Sequence, residues 1–103
     1  MKPSRNHEEW LHGKLKNARF AASYLNAAAQ DDDPRSYIVA LRHVAEARGG
    51  LAKIASEAGV SRESLYRALS ARGNPTVKTL AAVLKAAGLR MAVHTQSSTS
   101  ANL

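Results

Sequence analysis

The sequence contains no cysteine, which excludes disulfide staples, thiolate metal centres and a cysteine nucleophile. Aromatic residues are scarce, with one Trp, one Phe and three Tyr among 103 residues. A core with so few rings must be filled by aliphatic and small side chains. No apolar run approaches the ~20 residues that a membrane-spanning helix needs; Lys85 interrupts even the stretch at 81–87. The N-terminus, Met1 to Glu9, has no apolar run behind its basic residues and does not read as a secretory leader. The expectation is a soluble, cytoplasmic protein with no membrane partner.

Negative charge is also thin, and unevenly so. Residues 1–48 hold eight Lys/Arg and six Asp/Glu, a net of +2. Residues 49–103 hold seven Lys/Arg against only Glu57 and Glu63, a net of +5, which together give the chain its +7. A basic surface attracts phosphates and speeds association with polyanions, so the second half is where a nucleic-acid contact is sought.

What is abundant is alanine, within a hydrophobic fraction of 45%. Alanine favours helix and lets helices pack closely, and the length suits one domain. The reading is therefore all-α: a five- to six-helix, lambda-repressor-like domain over residues 1–95, followed by a disordered tail at 96–103. Residues 7–16 form an amphipathic helix with Trp10, Leu11 and Leu15 near one face and Asn6 as its cap. A second helix covers 18–30. Asp33-Pro34 starts a third, because aspartate caps free N–H groups and proline at the first position has none to orphan. Gly49-Gly50 ends it. Short helices at 51–58 and 62–71 follow, joined at Gly59-Val60-Ser61. Gly73-Asn74-Pro75 turns the chain, Thr76 caps a last helix, and Gly88 stops it with Leu89 packing back. Residues 90–95 alternate polar and apolar, reading as a short edge strand.

Residues 51–70, LAKIASEAGVSRESLYRALS, have the spacing of a helix-turn-helix. Ala55 stands where the second helix approaches the first. Gly59 stands where the backbone must enter a left-handed turn. Ile54, Ala58, Val60, Leu65 and Ala68 point inward. Ser61 caps the second helix, and Glu63 in its first turn favours the helix dipole. In such a unit the second helix lies in the major groove. The outward residues Ser61, Arg62, Ser64, Tyr66 and Arg67 are then the candidates for DNA contact. The arginines fork onto guanine or clamp phosphate, and the hydroxyls reach phosphate or base edges. Asn74, Thr76 and Lys78 follow as backbone-phosphate candidates.

Nothing argues for catalysis. His7, His12, His43 and His94 are scattered, and the five-residue gap between His7 and His12 puts them on different helix faces, so no metal site is expected. Asp31, Asp32 and Asp33 read as turn and cap rather than as a cation site. No serine sits in a nucleophile elbow, no glycine loop cradles a phosphate, and no cofactor is expected.

YLNAA at 24–28, ALRHVAEARG at 40–49, SRESLYRALS at 61–70, GNP at 73–75, and Thr79-Leu80 through Gly88-Leu89 resemble the addiction-module antidote family of HigA-like antitoxins. The resemblance runs from about residue 7 to 93, and SRESLYRALS followed by GNP is its most distinctive part. It implies a dimeric, DNA-binding protein of a toxin–antitoxin operon that neutralises a small RelE-like toxin, with the complex repressing its own promoter. Carried onto matching positions, it places Ser61, Arg62, Ser64, Tyr66 and Arg67 against DNA. It defines no toxin-binding residues here. Where many relatives carry acidic residues or Asp-Pro before the second helix, this chain reads Lys16-Asn17-Ala18-Arg19. The competing readings are a stand-alone regulator without a toxin, or with a small-molecule effector, and an interaction module that has lost DNA binding. Residues 89–95 offer a homodimer interface if an edge strand pairs with its twin, or else pack on their own subunit.

Overall fold

The computed structural model describes residues 5–96, apart from the side chain of Arg5. Six helices follow one another: α1 (Arg5–Leu15), α2 (Ala18–Ala29), α3 (Pro34–Ala47), α4 (Leu51–Ala58), α5 (Arg62–Ala68) and α6 (Val77–Ala86). The all-α expectation holds.

Local chemistry sets most of the boundaries. The α1 helix is already formed at Arg5, so Asn6 lies inside it and is not its cap. A cap that was not anticipated opens α2, where Asn17 Oδ1 accepts from the Phe20 N–H at 3.0 Å. Asp33 caps α3 by accepting from the Arg35 N–H at 3.0 Å, with Pro34 in the first position. Asp31 is used as well: one carboxylate oxygen accepts from the Asp33 N–H and the other from the Ser36 hydroxyl. The acidic run is thus a turn and a cap, as expected. Gly49 and Gly50 end α3, and α6 closes with the Leu89 N–H donating back to the Leu84 carbonyl at 2.8 Å.

Two departures matter downstream. The second helix of the pair stops at Ala68 rather than at residue 71. The Ser70 hydroxyl donates to the Arg67 carbonyl at 2.8 Å, and Gly73 folds close over the end of the helix. The edge strand at 90–95 does not form, and no strand occurs among the described residues. A strand needs a ladder partner, and the described residues supply none. Instead Leu89, Arg90, Met91, Ala92 and His94 border a groove of about 520 Å³ beside α2 and α3. Most of the expected tail, residues 97–103, lies outside the described residues.

Helix α3 packs on α1, α2 and α4, while α4 in turn packs on α5 and α6. One contiguous core runs through both groups: Leu15 and Leu25 at one end, Leu41, Val44 and Ile54 in the middle, and Leu65, Leu69 and Val83 at the other. Burying each of these aliphatic side chains contributes roughly 1.5–3 kcal/mol. Arg48 adds a polar tie across the fold. Its guanidinium donates to the Lys16 carbonyl beyond α1 at 2.7 Å and to the Ala87 carbonyl beyond α6. Carbonyls at helix C-termini lack intrahelical donors and carry partial negative charge, so one cation there satisfies two helix ends. No helix among the described residues is long and apolar enough to cross a membrane.

Candidate nucleic-acid interface

The unit at residues 51–70 has the expected bend. Gly59 adopts φ 79 and ψ 26, the left-handed region that a side chain disfavours. The Val60 N–H donates back to the Ala55 carbonyl at 3.0 Å, closing the turn. Ile54, Ala55 and Leu65 are buried, and Ala58, Val60 and Ala68 are partly so, which fixes α5 against α4 from the inside.

With Leu65 and Leu69 turned inward, the other face of α5 is open. Ser61, Arg62, Ser64, Tyr66 and Arg67 are all exposed. Among the described residues neither Arg62 nor Arg67 makes an ion pair, whereas Arg35 pairs with Asp33 at 2.8 Å. Glu63, the only acid on this helix, is exposed in its first turn. A short helix therefore presents two unneutralised guanidinium groups to solvent. Asn74, Thr76 and Lys78 are exposed beyond it.

The hydroxyls are less free than their exposure suggests. Ser61 Oγ accepts from the Ser64 N–H at 3.0 Å and donates to Ser64 Oγ at 2.9 Å. Thr76 repeats this arrangement on α6, with the Thr79 N–H and hydroxyl both at 3.1 Å. Ser61 and Thr76 are thus primarily caps, whereas Ser64 retains its own O–H for an outside acceptor.

Gly73, expected as part of a turn, and Arg42, which carried no expected role of its own, also belong here. Gly73 has no positive φ, but a Cβ on it would stand 2.1 Å from the Ala68 carbonyl oxygen. Only glycine lets the chain fold back over the end of α5. Arg42, from α3, places its guanidinium 5.6 Å from the centre of the Tyr66 ring, which is 48% exposed. The contact joins positions 42 and 66 on different helices, and no local spacing rule announces it.

The histidines are less scattered than they read. His7, His12 and His43 border one groove of about 530 Å³ between α1 and α3, with Glu8 and Glu46. His43 Nδ1 is 2.8 Å from the Tyr24 hydroxyl, which donates when the ring is neutral and carries its proton on Nε2. Burial holds the imidazole below its ordinary 6.5; Glu46 and Glu8 oppose that shift and Arg42 adds to it. Among the described residues no three His, Asp or Glu side chains are grouped to hold a metal ion.

Comparison with known proteins places the chain in a family. A protein of Haemophilus influenzae described as uncharacterised is 46% identical over 70 residues, covering 68% of this chain and 71% of that protein. No solved structure matches. A family model described as "Probable addiction module antidote protein" matches residues 10–95, spanning all of α2 to α6 and most of α1, and the chain belongs to that family.

Proposed function

We propose that this protein is the antitoxin of a toxin–antitoxin module, a cytoplasmic, HigA-like repressor that binds operator DNA through α5 and neutralises a RelE-like toxin. The observation that carries the DNA reading is the exposed, unpaired Arg62 and Arg67 on a helix whose opposite face is locked by Leu65 and Leu69. A guanidinium on such a helix forks onto guanine O6 and N7 or onto phosphate. Ser64, Asn74 and Lys78 extend the contact along the backbone, the exposed Tyr66 stands on the same face, and Ser61 and Thr76 hold the helix starts. Family membership supports the toxin partner. Neutralisation is steric, the antitoxin covering the toxin's active surface or keeping it from the ribosome.

The reading includes a homodimer, whose two α5 helices stand about 34 Å apart and meet successive major grooves. The segment at 90–95 supports a second copy: Val93 is 97% exposed and Met91 50%, two apolar side chains at the surface.

Two measurements test the proposal. A duplex from upstream of the gene should be shifted by the protein, with affinity falling steeply as salt rises. Induction of the neighbouring small reading frame should arrest growth, and co-expression of this chain should restore it. Salt-insensitive or absent DNA binding contradicts the repressor reading, and failure to restore growth contradicts the antitoxin reading.

A further inference from the structure

Arg42 is a half-buried cation on α3. Its Nε is buried without a hydrogen-bond partner. Among the described residues its guanidinium makes no ion pair, although Glu46 lies one turn along the same helix and borders the same groove. The guanidinium lies against the exposed ring of Tyr66 on α5. The terminal nitrogens are not among the buried unpartnered atoms, and the side chain is half-buried beside the helix that carries Arg62 and Arg67.

From this we infer that Arg42 is a phosphate-contacting residue of the DNA interface, and that Tyr66 is a positioning residue that holds the Arg42 guanidinium rather than reading DNA with its hydroxyl. The inference rests on the DNA reading above and deepens it. A planar guanidinium lies well against an aromatic face, and a side chain already held in place loses less freedom when it meets its ligand. Phosphate recognises a guanidinium's fork of donors, and no carboxylate among the described residues pairs with this one. Helix α3 thereby lends the interface a contact from outside the helix-turn-helix, and Tyr66 is the joint between them.

The test uses the full chain and a synthetic duplex of mixed sequence, since phosphate contacts do not depend on sequence. Arg42→Met should weaken binding about tenfold at ~0.1 M salt and lower the slope of log affinity against log salt by about 0.9, one phosphate's share. Arg42→Lys should restore the slope. Tyr66→Leu should weaken binding, Tyr66→Phe should weaken it less, and Tyr66→Leu should add little in the Arg42→Met background. An unchanged slope in Arg42→Met, additive losses in the double variant, or equal losses in Tyr66→Phe and Tyr66→Leu each overturn the inference while leaving α5 as the DNA element. If the wild-type chain binds no duplex, the DNA reading and this inference fall together.

Discussion

Replacing Gly73 with alanine should be among the most damaging single-methyl changes in this protein, for a reason that can be read in distances. The added Cβ would stand 2.1 Å from the Ala68 carbonyl oxygen, and 2.5 Å from both the Ala68 carbonyl carbon and the Arg67 carbonyl oxygen. All three atoms are backbone, so no side chain can swing aside. Restoring an ordinary contact moves either the end of α5 or the following turn by roughly 1 Å, and overpacking of this kind costs about 3 kcal/mol. Gly59 is the natural control. It is the glycine that the helix-turn-helix pattern singles out, yet a Cβ there meets nothing within 4 Å. Gly59→Ala therefore costs only the left-handed backbone, about 1–2 kcal/mol. At roughly 5 °C per kcal/mol for a domain of this size, Gly73→Ala should lower Tm by about 15 °C, and Gly59→Ala by about 5–10 °C. Thermal and urea unfolding followed by far-ultraviolet circular dichroism give both numbers, with equal m-values showing that the same transition is compared. If Gly59→Ala proves the more destabilising of the two, the steric reasoning is wrong.

Three further outcomes follow from the packing. Arg48→Met should cost about 2 kcal/mol in urea unfolding, because the Lys16 and Ala87 carbonyls lose a charged donor, and Arg48→Lys should recover part of the loss. Burial depresses the His43 imidazole, so as pH falls the unfolded chain takes up the proton first. That share of stability is complete above pH 6.5 and is lost as pH drops from there through the folded value; in His43→Gln, melting curves across this window should flatten. Ser61→Ala should lower stability by about 1 kcal/mol through loss of the α5 cap, and Ser61→Asp, which still caps, should restore it in the same unfolding assay.

Much of the fold is legible in the sequence because its boundaries are set within three or four residues of themselves. Asp33-Pro34, Ser61 and Thr76 each declare a helix start through a side chain that reaches its own first turn, and the structure uses all three as caps. Gly59 likewise announces its turn. Asn17 was legible by the same rule, but the polar neighbours Lys16 and Arg19 masked it. The extra turn expected for α5 fails for a different reason. Ala71 is a good helix residue, but Gly73 draws the chain back over Ala68, and propensity yields to that close approach.

What could not be read were features joining distant segments. Arg48 bridges the ends of α1 and α6, and Arg42 meets Tyr66 across two helices. Neither pairing leaves a periodic trace. The alternation at 90–95 was visible but insufficient: a period-2 pattern licenses a strand only where a ladder partner exists. Five-residue spacing puts His7 and His12 on different faces of α1, but the groove spans both, and α3 brings His43 to it from a distant segment.

The central claim is that DNA binding resides in the geometry of α5 and not in net charge, and a charge-matched comparison tests it most directly. Arg62→Gln/Arg67→Gln and Arg19→Gln/Lys85→Gln both take the chain from +7 to +5, and all four residues are exposed. Titrated against the same upstream duplex at one salt concentration, the α5 pair should lose about tenfold per arginine, while the control pair stays within about twofold of wild type. Equal losses in the two variants would mean that a diffuse positive field does the binding, and would contradict α5 as the reading element.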